Sequence, residues 1–331
     1  MTLAMPIEIT PPFYLGQALL RAVSPGTRRG LSILIYHRVL AKKDPLFPAE
    51  LDAAEFDHQI RMLNSCFNVL PLIDAARHAR AGTLPARAAC ITFDDGYADN
   101  AEIALPILKK HGVSATFFVA TGFIDGGRMW NDTVIELVRR TNDGAIDARS
   151  LGLGLHPIDS IVQRQAAIPA LIKQLKYLSF DERARQVEAL CRLVQTPLPD
   201  NLMMTSAQVR ELHEAGMEIG GHTVLHPILA KLPSAQARQE IIRGKETLET
   251  IIGKPIRVFA FPNGKPVTDY KAEHVAMVED LGFECAVSTA WGSQPRNDDL
   301  FQLPRFTPWD KSRFRFALRM ARNLNMTAAR A

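Results

Sequence analysis

Cysteine is scarce in this chain: Cys66, Cys90, Cys191 and Cys285 are the only four in 331 residues, far apart and with no CxxC pair. That excludes a disulfide framework, and the apolar runs around Cys90 and Cys285 predict small buried thiols. No apolar run approaches the roughly 18 residues that a membrane span needs. Charge of one sign is also missing. A formal net charge of +4 is small for this length, and the basic residues are scattered except near the C-terminus, so neither nucleic-acid nor membrane-surface binding follows. The N-terminus lacks the basic stretch of a secretory signal and carries Glu8 and prolines instead. Residues 1–29 therefore read as a leader with a short docking helix, and the protein as cytoplasmic. What is present, 47% apolar and 22% charged residues, describes a soluble globular chain with ample core.

Short apolar runs alternate with helical patterns. Strands are expected at 32–36, 68–71, 88–93, 113–119, 217–220, 257–261 and 283–288. Helices are expected near 54–65, 73–81, 98–111, 205–215, 236–252, 269–281 and 309–324. Strands alternating with helices imply a parallel α/β sheet with right-handed crossovers, and about seven repeats favour a distorted barrel over 30–308. The stretch 126–203 breaks the rhythm. It has no convincing strand but helical periodicity at 131–141, 161–178 and 181–194, so it reads as a helical insertion on the face where catalytic loops sit. Residues 309–331 read as a basic amphipathic helix, packed on the barrel or facing a membrane or partner.

Chemistry concentrates at predicted strand ends. In ITFDDGYADN (91–100), Asp94 and Asp95 end a buried strand and Gly96 supplies a tight turn. Neighbours on a strand point to opposite faces, so both carboxylates can serve one site only where the strand stops. In MEIGGHTVLHP (217–227), His222 and His226 follow another strand. In a parallel barrel these ends gather on one face. Asp95, His222 and His226 then form an O,N,N set, which is how a catalytic zinc site keeps positions open to water; a closed structural site would want a fourth ligand, usually sulfur. Asp94 stays free as a base. His37, after SILIY, is either a structural histidine or a catalyst on the same face. The FPNG turn (261–264) is an ordinary turn or a device that aims the Asn263 N–H at an oxyanion. Trp130 and Asp132 line a sugar site or join the core, and Pro262 is a further candidate substrate contact. Arg305 orients a carboxylate or makes a surface ion pair. The other histidines (His58, His78, His111, His156, His213 and His274) lie away from strand ends and read as structural.

TFDDGYADN and HTVLH resemble the first two motifs of the polysaccharide deacetylases, the NodB-homology carbohydrate esterases, and FAFPNG loosely resembles the third. The opening ILIYHRVL resembles a branch acting on poly-N-acetylglucosamine-type exopolysaccharides, whose catalytic histidine comes early. The resemblance covers about 30–308. It implies Asp94 as general base, Asp95, His222 and His226 as ligands of a divalent metal, most simply Zn²⁺, His37 as general acid, and the Asn263 N–H as oxyanion donor. The arginine usual near the third motif is missing around Ala260-Phe261, which makes Arg305 the candidate to hold Asp94. Asn263 stands where an aromatic is usual.

The expected activity is hydrolysis of an N-acetyl group on an amino sugar of a glycan or glycolipid. The alternatives are removal of another acyl group, action on a small lipid-linked sugar, or a non-catalytic glycan-binding protein on the same scaffold. Retention of a free Asp94 argues against the last, because binding alone does not require a base.

Overall fold

The computed structural model describes residues 30–292, 299–308, 319 and 329–331. The reading of 1–29, and nearly all of that of 309–331, lies outside the described residues. Seven parallel strands form one curled sheet, the architecture of a distorted NodB-type α/β barrel. They are β1 (Ser32–Tyr36), β2 (Asn68–Val69), β3 (Ala88–Phe93), β4 (Thr116–Val119), β7 (Glu218–Gly221), β8 (Val258–Ala260) and β9 (Cys285–Val287). The order is β1-β3-β4-β7-β8-β9, with β2 beside the start of β3. Between the strands run α1 (Ala53–Cys66), α2 (Leu72–Ala81), α3 (Leu105–His111), α7 (Ser206–Glu214), α8 (Ser234–Ile252) and α9 (Ala272–Asp280).

Alternation along the strands sorts the core into two layers. Ile33, Cys90, Phe118, Val258 and Val287 share one cluster with helix α2. Leu34, Ile91, Phe117 and Phe259 share the other, with α1, α3, α7, α8 and α9. On β3 this parity puts Ala88, Cys90, Thr92 and Asp94 on the first of these faces. Residues 303–306 join the sheet edges: Leu303 bridges Val287 on one side, and Phe306 bridges Leu34 on the other. Leu303 belongs to the first of these clusters, the one with α2, so Arg305, two residues on, points the same way.

Residues 126–203 hold three helices, α4 (Trp130–Arg140), α5 (Ile161–Lys176) and α6 (Phe180–Val194), with a separate apolar core of Val134, Leu137, Ile146, Leu171, Leu175 and Leu190. They also contain an antiparallel hairpin, β5 (Ala145–Ala148) with β6 (Gly154–Pro157), where the sequence offered no convincing strand. Four-residue strands with Gly152 in the connection, Gly154 opening the second strand and a terminal proline carry too little β-branched signal to show in the pattern. No described helix is long and apolar enough to cross a membrane.

Candidate active site

The chain leaves β3 after Phe93 and turns at once. Asp95 adopts φ +75° and Gly96 φ +89°, a backbone that swings Asp95 to the same side as Asp94. A Cβ on Gly96 would stand 2.9 Å from Val119 Cγ1, so the turn needs glycine both for its φ and for space. The left-handed region also holds Thr223, His226 and Asn263 (φ +65°, +50° and +58°). Non-glycine residues in this region are costly and cluster at functional sites.

Oδ1 of Asp95 lies 3.5 Å from His222 Nε2 and 3.4 Å from His226 Nε2, and the three candidate donor atoms fall within 4.8 Å of one another. The Nδ1 of His222 meets the Ala260 carbonyl at 2.7 Å. That contact requires the proton on Nδ1 and leaves the Nε2 lone pair facing Asp95. A bare nitrogen and a carboxylate oxygen this close repel unless a proton or a metal ion sits between them. Burial tends to raise Asp95, yet the hydrogen bond with His222 and the charges of His226, His37 and His222 hold it below the usual carboxylate range. Burial pushes His226 down to about 4, keeping its imidazole neutral at pH 7. His222 is pulled the other way against burial, by Asp95 and Asp94. The donor set thus fits a divalent cation that displaces a proton.

Helix α8 braces the loop carrying the two histidines. Glu240 accepts from the N–H groups of Val224 (3.0 Å) and Leu225 (2.8 Å), and Thr223 Oγ1 accepts from the His226 N–H at 3.1 Å. A Cβ on Gly244 would stand 2.8 Å from the Thr223 carbonyl oxygen, so glycine lets the helix approach.

Asp94 is held by Arg305. The guanidinium donates through Nη1 to Oδ1 (2.6 Å) and through Nη2 to Oδ2 (2.7 Å), with further bonds to Thr92 Oγ1 (3.2 Å) and the Ser288 carbonyl (3.0 Å). Arg305 is 0% exposed, which rules out the surface ion pair and leaves the carboxylate-orienting alternative. Burial tends to raise Asp94, but the charges of Arg305, His222 and His37 and the hydrogen bonds from Arg305 together outweigh it and keep the carboxyl below its ordinary range.

These groups open into a cleft of about 570 Å³, whose lining includes His37, Asp94, Asp95, Trp130, His226, Asn263 and Arg305. His37 is exposed, with its backbone carbonyl held by Asn100 Nδ2 at 2.9 Å. Asp99 accepts from Arg38 Nε (2.8 Å) and the Val39 N–H (3.1 Å), so the tail of the TFDDGYADN motif fixes the loop that presents His37. Among the described residues the Asn263 N–H has no protein acceptor; its carbonyl accepts from Thr289 Oγ1 at 2.8 Å. Pro262 is buried and does not line the cleft.

Trp130 and Asp132 both reach the cleft from α4. Asp132 accepts from the Tyr97 hydroxyl at 3.2 Å, and its other oxygen is buried without a partner among the described residues. Burial, with Asp95 nearby, pushes it up to about 7. Glu240, Asp99, Asn100 and Trp291, the last lining the cleft and 39% exposed, escaped the sequence reading. Only the Asp-Asn tail stood inside a motif where it could have been noticed.

Residues 81–152 and 173–286, more than half of the chain, match the sequence profile of the family described as Polysaccharide deacetylase. YxkH of Bacillus subtilis (strain 168), whose own assignment as a polysaccharide deacetylase is provisional, is 21% identical over 277 residues, 83% of this chain and 70% of YxkH. In fold the chain is similar to the Streptococcus pyogenes deacetylase PplD, solved in complex with acetate: TM-score 0.56, 20% identity, 84% of this chain and 92% of PplD. It is also similar to IcaB from Ammonifex degensii: TM-score 0.55, 20% identity, 87% of this chain and 97% of IcaB. The profile match spans both the Asp-Asp strand end and the His-x-x-x-His loop, and by it the chain belongs to the polysaccharide deacetylase family.

Proposed function

We propose that this deacetylase removes N-acetyl groups from amino sugars of a polysaccharide or glycolipid, with Zn²⁺ held by Asp95, His222 and His226. The observation that carries the reading is a buried, ionised Asp94 beside that donor set yet clamped by Arg305 outside it. Its Oδ2 lies 4.0 Å from His222 Nε2. A group meant only to bind metal or sugar would not need an arginine to keep it charged. Two imidazoles and one carboxylate favour zinc over the oxygen-loving Mg²⁺ or Ca²⁺. When bound, the metal supplies a Lewis acid for the amide carbonyl and acidifies a water.

The chain's own groups do the rest. Asp94 accepts the proton of the attacking water at the oxygen turned to the cleft. The Asn263 N–H, free of any described acceptor, faces the oxyanion that develops on the acetyl oxygen. His37, on the exposed rim, donates a proton to the sugar nitrogen as the C–N bond breaks, giving acetate and an amine. The test is acetate release from N-acetylglucosamine oligomers. The metal-loaded protein is expected to release acetate, while Asp94→Asn loses that turnover but still binds metal. Full turnover by Asp94→Asn would overturn the assignment.

A further inference from the structure

A second groove of about 260 Å³ adjoins the catalytic cleft and shares Lys176, Arg183 and Ile228 with it. Its remaining wall includes Tyr177, Phe180 and Lys231, and among the described residues no carboxylate lines it. The cleft around the metal donors is, by contrast, rich in Asp and Glu. The cleft mixes its carboxylates with Arg38, Arg305 and the shared Lys176 and Arg183, whereas the charged side chains described along the groove are all basic.

Arg183 is the informative side chain. It is 7% exposed, so its charge is largely withdrawn from water. Among the described residues no carboxylate pairs with it, and its one hydrogen bond to protein is a long contact, 3.4 Å from Nη1 to the Lys176 carbonyl. Its guanidinium lies 5.1 Å from the Trp130 ring centroid and 5.6 Å from that of Phe180. Ring faces hold the plane of a guanidinium but leave its N–H edge unsatisfied. None of its nitrogens is sealed from solvent as an unpartnered atom, and the residue lines both the groove and the cleft it adjoins. Position makes the charge more costly still. Arg183 sits in the first turn of α6, behind the Ser179 cap, where the positive end of the helix disfavours a cation. Two ring faces, one long carbonyl contact and the first-turn acids Asp181 and Glu182 offset part of this cost, but among the described residues no carboxylate pairs with the guanidinium. An anion arriving in the groove supplies that partner.

We propose that this groove is an anion subsite, which takes a phosphate or carboxylate carried by the substrate glycan beyond the sugar being deacetylated. Resting on the deacetylase reading above, it makes the substrate an acidic glycan rather than a neutral homopolymer. Arg183 offers the paired donor edge that suits either oxyanion. Lys176 and Lys231 add charge without a carboxylate partner among the described residues. Tyr177, 68% exposed, and Phe180, 36% exposed, give flat faces for the sugar bearing the anion.

Calorimetric binding to the full, metal-loaded chain tests this with three probes: a short neutral N-acetylglucosamine oligomer, the same oligomer ending in a phosphate, and one ending in a uronate. At least one charged probe is expected to bind ~10-fold or more tightly than the neutral one, the scale of a charge-assisted hydrogen bond. Which charged probe gains most identifies the anion. The preference should vanish in Arg183→Gln and fall in Lys231→Glu, an exposed position where folding is not at stake. Equal binding of all three probes, or a preference retained in both variants, would overturn the proposal. Acetate release measured on the same samples separates the two readings: absent turnover with intact charge preference would sink the deacetylase assignment and leave the subsite standing.

Discussion

Arg305→Met removes the whole clamp on Asp94 while conserving much of the side-chain volume. Asp94 is 3% exposed and would keep its place without the two charged bonds at 2.6 and 2.7 Å. Leaving a buried charge unpaired costs about 3–5 kcal/mol, on the order of 10 °C in Tm for a chain of this size. The loss should depend on pH, and in a definite direction. In the native protein the Asp94 carboxyl lies below its unfolded value, so it contributes stability above that value and loses it as pH falls. Without Arg305, only the attraction of His222 and His37 opposes burial, the largest cause, and the carboxyl rises towards and above its unfolded value. The variant's deficit is then greatest at high pH and shrinks as acid neutralises Asp94. The acid limb of acetate release should move upward by the same cause, because the base is now protonated where it was charged. Urea unfolding at pH 5 and pH 8, with a pH profile of turnover, reads all of this. Adding Asp94→Asn to Arg305→Met should recover part of the stability and none of the activity. A deficit below about 1 kcal/mol that is equal at both pH values would refute the reasoning.

His37→Ala should lower acetate release from an N-acetyl sugar by roughly 10²–10⁴, yet spare an activated ester whose leaving group needs no proton; equal losses on both substrates would remove His37 from the general-acid role. Asp132, pushed up to about 7 by burial and Asp95, binds its proton more tightly in the fold than in the unfolded chain. Its stabilisation is complete below about pH 4 and lost as pH rises through about 7. In metal-stripped protein, Asp132→Asn should therefore flatten the fall in urea midpoint between pH 5 and pH 8, by at most a few kcal/mol; parallel slopes for both proteins would contradict this.

Strand ends were the legible part of this sequence, because local pattern specifies them. A buried apolar run followed by Asp-Asp-Gly, or by Gly-Gly-His, announces where a strand stops and what it presents. The observed strands fall within a residue of these runs, apart from late starts for β4 at Thr116 and β9 at Cys285 and an early end for β2 at Val69. The segment 303–306 was not legible as part of the sheet. Pro304 and Arg305 suit no strand pattern, and its pairing is with edges more than 15 residues back and nearly the whole barrel away. Arg305 was reached through the gap left by a missing motif arginine, not through any signal of its own. Glu240 and Gly244 lie on a polar helix whose sequence gives no sign that one face grips the histidine loop. Nothing in the sequence separates Arg183 from the exposed charges around it on the same helix; only the fold shows its burial.

The central claim is that Asp95, His222 and His226 hold one catalytic metal per chain. Titrating Zn²⁺ into chelator-stripped protein while following acetate release from N-acetylglucosamine oligomers tests it directly. Turnover should be absent in the stripped protein, rise with added metal and saturate at one ion per chain, while folded Asp95→Ala, His222→Ala and His226→Ala remain largely empty by elemental analysis. Full turnover in the stripped protein, or full metal occupancy in all three variants, would contradict the account.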